Sequence, residues 1–248
     1  MNKILVGSFL IAVTGLLLAA RFGFEFAGGE GYVEALPAQV EIISGSVTVE
    51  RSGVSRTAVN GESLKRGEII RTSDTTRAII KIGERISIVL DERTDVSIEQ
   101  ILPSQVEIKI IRGRLLAKTS NETEELLIST PVSFGSINSG ILSVVRYDWL
   151  DKTDYLPFGT TVFVNQKDDY KNVSQGGVEA LEKEPFGLTK IDFDWQGSSA
   201  VEFYEWVSEM GVGCWFFGIS ESSKDFVLNG NRCRLRRRFI AGINGIID

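Results

Sequence analysis

Between Asn60 and Thr130 the chain keeps one cadence: apolar–polar alternation, a glycine turn, then alternation again. It reads Asn60-Gly61-Glu62-Ser63-Leu64-Lys65-Arg66-Gly67-Glu68-Ile69-Ile70-Arg71-Thr72, then Arg77-Ala78-Ile79-Ile80-Lys81-Ile82. Later come Ile111-Arg112-Gly113-Arg114-Leu115 and Ser129-Thr130-Pro131-Val132. Gly61 and Gly67 bracket a tight turn, each free to take the positive φ a turn demands. A period of two sends successive side chains to opposite faces, so each run buries one face. The alternation predicts strands over residues 39–43, 46–51, 68–72, 77–82, 85–90, 95–99, 105–111, 114–118, 126–129, 141–147 and 160–164. Turns are expected at Ser44-Gly45, Ser52-Gly53, Gly83-Glu84 and Arg112-Gly113. Short strands at this spacing specify a mainly β fold, an antiparallel sandwich or roll.

The chemistry open to such a fold is narrow. The chain has no histidine, which removes His-dependent triads and the commonest metal ligand. Its two cysteines, Cys214 and Cys233, are too few for a structural zinc site. A formal net charge of −6 argues against a nucleic-acid partner. No cofactor or metal is expected, and 248 residues suffice for one or two domains.

Residues 4–20 run from Ile4 to Ala20 without a charge, between Lys3 and Arg21. A helix over them would span roughly 25 Å at ~1.5 Å per residue, enough for a bilayer core. Phe22, Phe24 and Phe26 supply aromatic material for the interface. A cleaved signal peptide has the same charged start and apolar middle but needs small residues before the cut. Leu18-Ala19-Ala20 is the one such stretch, so an uncleaved anchor is the expectation and a signal peptide the alternative. Lys3 and the amino terminus put the short end in the cytoplasm. The expected location is the cytoplasmic membrane, single-pass, with the bulk of the chain extracytoplasmic.

This divides the chain into an anchor (1–26), a Gly-rich linker (27–37), an all-β domain (38–164) and a smaller α+β extension (165–248). In the extension, Ser199-Ala200-Val201-Glu202 has capping-box spacing, and Ala200, Phe203, Val207 and Met210 recur at helical intervals. Residues 212–219 read as a buried strand, and Asn229-Gly230 as the turn of a hairpin over 225–234.

Residues 38–163 resemble the FecR-type extracytoplasmic domain of bacterial envelope proteins. The resemblance is carried by Gly61…Leu64…Gly67…Ile69…Thr72, by Ile79-Ile80-Lys81-Ile82, and by Val106-Glu107-Ile108-Lys109-Ile110-Ile111-Arg112-Gly113. Thr130-Pro131, Gly140-Ile141-Leu142-Ser143-Val144 and Gly159-Thr160-Thr161-Val162 complete it. It implies an all-β domain that makes protein contacts. Full-length sensors of that family regulate a sigma factor through a cytoplasmic domain ahead of the membrane helix. Here Met1, Asn2 and Lys3 precede the apolar run, so that role is not carried over.

Among individual residues, Arg232, Arg234, Arg236, Arg237 and Arg238 form a candidate basic ridge for an anionic polymer, lipid headgroup or acidic partner. Self-pairing with Asp192, Asp194, Glu202 and Glu205 is its bland counterpart. Trp195, Trp206 and Trp215, with Phe203, Tyr204, Phe216 and Phe217, suit either a sugar-stacking surface or, as helical spacing favours, a small core. Asp192 and Asp194 lack the further oxygen ligands that calcium needs. Asn121-Glu122-Thr123 and Asn172-Val173-Ser174 match a short sequon. Cys214 and Cys233 are expected to form a disulfide in an oxidising compartment.

A serine–lysine hydrolase would draw on Ser63 and Lys65, but a lysine inside that solvated turn keeps its proton. The expectation is therefore a non-catalytic, membrane-anchored FecR-like module that binds, scaffolds or senses in the cell envelope. Its partners would be the membrane, envelope proteins or wall polymer. A carbohydrate- or polyanion-binding protein is the first alternative and the serine–lysine hydrolase the second.

Overall fold

The computed structural model describes residues 33–120, 125–194, 197, 198 and 200–209. The apolar run, Trp195, Ser199, Trp215, Cys214, Cys233, the five arginines and the expected strand and hairpin beyond residue 210 lie outside the described residues. No helix among the described residues is long and apolar enough to cross a membrane. The fold described below lies within Ala35–Asp248.

Alternation becomes strands as expected in the first half. These are β1 Ala38–Ser44, β2 Val47–Arg51, β3 Val54–Thr57, β4 Glu62–Leu64, β5 Ile69–Thr72, β6 Arg77–Ile82, β7 Ile86–Leu90, β8 Asp95–Leu102 and the long β9 Gln105–Thr119. There follow β10 Glu125–Ser129, β11 Phe134–Ile137, β12 Gly140–Tyr147, a 3-10 turn Asp148–Leu150 and β13 Lys152–Phe158. The last strands are β14 Val162–Gln166, β15 Asp169–Val173, β16 Gly177–Leu181 and β17 Gly187–Ile191, ahead of the helix α1 Val201–Glu209. The boundary drawn at 164 falls inside β14, and β15 to β17 extend the sheets well past it.

Hydrogen-bond register resolves two sheets. The first runs β4-β1-β6-β7-β9-β12-β13-β16-β17. The second runs β3-β2-β5-β8-β9-β10-β11-β14-β15. Between them lies one apolar core: Val40, Ile80, Ile88 and Leu115 from the first sheet face Val49, Ile70, Ile98, Ile108 and Ile128 from the second. Alternation sets which side chains face this core, while β6, β7, β9 and β12 are also buried on part of their outer face.

Two features correct the sequence reading. Arg112-Gly113 is not a turn between two strands. β9 is continuous, pairs with β8 in the second sheet up to Arg112, and from Gly113 pairs with β12 in the first. Gly113 takes φ +98° at the corner, where a Cβ would lie 2.5 Å from Thr94 Oγ1 and 2.6 Å from its Cα. A strand that changes sheets needs such a bend, and its local sequence looks like a reversal. Nor is the fold purely antiparallel, because β10 pairs with β9 in parallel, Leu126 opposite Val106 and Ile128 opposite Ile108. The chain leaves the end of β9 in the first sheet and re-enters the second through 120–124, which a hairpin cannot do.

The expected helix is present. Ala200, Phe203, Tyr204 and Val207 bury a stripe against Ile79, Val89, Leu116 and Ile141 on the outer face of the first sheet. Ser198 Oγ accepts from the Ala200 N–H at 3.3 Å ahead of the first turn. The Tyr204 hydroxyl is hydrogen-bonded to Ser143 Oγ at 3.0 Å, and the Arg77 guanidinium sits 4.6 Å from the Trp206 ring. Phe203 and Tyr204 are thus core, and Trp206 is half-buried at its margin.

Candidate functional site

The outer face of the second sheet is the side that no described element covers with a hydrophobic cluster. Register assigns its occupants. Val106, Ile108, Leu126, Ile128 and Val164 point into the core, so Glu107, Leu127, Ser129, Phe134, Phe163 and Asn165 point out. Pairing of β14 with β15 places Tyr170 opposite Asn165. Three rings follow one another diagonally across neighbouring strands, Phe134 to Phe163 at 6.2 Å and Phe163 to Tyr170 at 6.0 Å. Tyr170 is 64% exposed.

Beside the rings a groove of about 340 Å³ is lined by Glu107, Leu127, Ser129, Val132, Phe134 and Asn165, among others. Ser129 Oγ donates to Glu107 Oε1 at 2.7 Å, which orients the carboxylate along the groove. Its rim, Thr130-Pro131-Val132-Ser133, is held from below. Thr130 Oγ1 accepts from the Ser133 N–H at 3.0 Å and the Val132 N–H at 3.2 Å. Ser133 Oγ is hydrogen-bonded to the Tyr155 hydroxyl at 3.0 Å. Tyr155 is fully buried, and burial pushes its phenol well above the usual range. Its ring passes so close under Gly135 that a Cβ there would meet it at 2.5 Å. The Thr130-Pro131 pair picked out in the sequence is therefore a rigid rim.

Ser63 and Lys65 lie elsewhere, on β4 and the turn after it, lining a groove of about 420 Å³ with residues 35–38 and 100–102. Both are exposed, and Lys65 lacks the burial that a lysine base requires. Gly61 and Gly67 each take the expected positive φ, +80°, but they sit in two turns rather than one, because strand β4 lies between them. Asp192 and Asp194 are exposed at the end of β17. Asn172 is exposed on β15, and Asn121 to Thr123 fall outside the described residues.

Two ionic groups sit on the first sheet. Asp91 accepts from Arg114 at 3.0 Å beside Arg77, and burial still pushes its carboxyl up. Asp154 Oδ1 lies 3.8 Å from Lys152 Nζ, an ion-pair distance, but is buried without a hydrogen bond. Burial first, then the Glu179 carboxylate, pushes its carboxyl up, against the pull of Lys152. A raised carboxyl means the folded state holds the proton more tightly than the unfolded chain. Stability tied to Asp154 is therefore greatest in acid and falls as pH rises from the unfolded value through the folded one. Asp154→Asn is expected to raise the neutral-pH Tm by about 2–4 °C and to flatten that decline. Thermal unfolding at a series of pH values measures both, and an unchanged pH profile would refute the assignment.

The sequence did not single out the aromatic strip. Phe163 is flanked by Val162 and Val164, an apolar triplet that hides which member faces out, and Phe134 and Tyr170 meet it only through sheet register.

No protein-family model matches the chain, and no curated protein matches it. Two crystal structures of a candidate anti-sigma factor from Parabacteroides distasonis are similar. The one at 2.50 Å aligns with a TM-score of 0.46 and 11% identity over 52% of this chain and 61% of that one. The one at 1.65 Å aligns with a TM-score of 0.48 and 10% identity over 54% and 64% respectively. The chain thus spans less than two thirds of the length of either neighbour.

Proposed function

We propose that this chain is a non-catalytic binding or sensing module of the FecR type, held in a bacterial envelope by its apolar N-terminal run with the β body extracytoplasmic. The observation that carries the reading is the outer face of the second sheet: a rigid rim, a groove and three surface rings, built by strands whose inner residues do nothing but pack. Such a face is shaped for contact rather than for proton transfer. The FecR-like order of turn glycines and strands, and the charge-free stretch from Ile4 to Ala20, support the family and the location.

The rival is a hydrolase using Ser63 and Lys65. Membranes containing the full chain, treated with a serine-directed fluorophosphonate, are expected to leave it unlabelled, with the intact mass retaining residues 1–20. Ser63→Ala and Lys65→Ala are expected to fold as wild type and to keep its function. Labelling that disappears in Ser63→Ala would replace this reading with an enzyme.

A further inference from the structure

We propose that the outer face of the second sheet binds a pyranose oligosaccharide, the rings of Phe134, Phe163 and Tyr170 stacking on sugar faces and Glu107, Ser129 and Asn165 bonding the hydroxyls. This rests on the reading of the β body as a binding module and names the ligand of its open face.

A pyranose has one face of C–H bonds and a rim of hydroxyls, so its receptor needs flat apolar surface with donors and acceptors at the same level. Register supplies that alternation. Across one row of the face lie Ser129, Phe134, Asn165 and Tyr170, each opposite the next. The adjoining row holds Glu107, Leu127 and Phe163. The rings are 6.2 and 6.0 Å apart, centre to centre; Phe163 and Tyr170, tilted by 31°, form the platform, and Phe134, inclined by 51° to Phe163, flanks it. Glu107 is oriented in advance by Ser129, and the rim is fixed by Thr130, Ser133 and Tyr155, so little ordering is left to oppose binding.

Other ligand classes fit less well. β11 and β14 are each paired on both sides, so a peptide lying across the rings gains no backbone partner there; among the described residues near the rings, strand addition is open only at the edge strand β15, beside Tyr170 alone. Glu107 lines the groove and Lys109 stands opposite Ser129 on the same face, so these two charges offset and leave no excess of positive charge to hold an anionic lipid.

The test uses the full-length protein in a polyoxyethylene detergent, since sugar-headed detergents would compete. The probes are a β-1,4-linked glucose tetramer and a β-1,4-linked N-acetylglucosamine tetramer, followed by calorimetry and saturation-transfer NMR. Saturable binding of at least one is expected, and which one distinguishes a neutral glycan from a wall-type amino sugar. Tyr170→Ala, a change at an exposed side chain, is expected to weaken binding about ten-fold. Tyr170→Phe, which keeps the ring, is expected to bind as wild type. Binding of neither tetramer, or equal binding by Tyr170→Ala, would overturn the proposal. Such a failure with Ser63 still unlabelled by fluorophosphonate removes the sugar alone; labelling of Ser63 removes the non-catalytic reading whatever the sugars do.

Discussion

Gly113→Ala is expected to destabilise the protein by about 3–5 kcal/mol. Two costs add there. A side chain is strained at φ +98°, and the new Cβ would meet fixed backbone, Thr94 Cα at 2.6 Å and the Arg93 carbonyl oxygen at 2.8 Å. Neither neighbour can yield without breaking the corner, because Thr94 Oγ1 accepts from the Arg114 N–H at 3.1 Å and donates to its carbonyl at 3.0 Å. Gly67→Ala is the matched control: it has φ +80° with nothing within 4 Å, so only strain of about 1 kcal/mol applies. Urea unfolding of the two variants separates the terms. Equal losses at both positions would show that the corner is not crowded.

The second large effect concerns Arg146 and Glu182. Nε and Nη2 of Arg146 donate to the two carboxylate oxygens at 2.7 and 2.8 Å, and Thr153 Oγ1 donates to Oε1 at 2.6 Å. The side chains are only 11% and 12% exposed. Removing one charge strands the other in a poorly solvated site, so Arg146→Met is expected to cost about 3–5 kcal/mol. Arg146→Met with Glu182→Met should recover most of that, since burying two apolar side chains carries no desolvation penalty. A double variant no more stable than the single one would mean that the pair contributes net stability of its own.

Much of the sandwich was legible in the sequence because one-sided burial leaves a period of two. Residues 77–82 and 85–90 read as strands, and 77–82 and 86–90 are strands; the helix stripe of Ala200, Phe203 and Val207 meets an apolar sheet face as its spacing required. What escaped had no such period. Every residue of β3 is exposed, so nothing in it alternates. β13 opens on three polar residues in a row, Lys152, Thr153 and Asp154, and β15 carries Asp169, Lys171 and Asn172 with Val173 its one aliphatic residue. Arg112-Gly113 misled for a different reason: reversing the chain and carrying it into the other sheet make the same demand on one glycine. The candidate site was hidden because its three rings are remote in sequence and become neighbours only through pairing of β11, β14 and β15.

The passage of β9 through both sheets bears on how the molecule comes apart. A sandwich whose sheets share no strand has a seam along which the halves can part, each keeping its own ladder. Here the strand at the middle of one ladder is also at the middle of the other, flanked by β8 and β10 in the second sheet and by β7 and β12 in the first. Freeing either sheet requires pulling β9 out of both, so the two lose their order together, in one cooperative step.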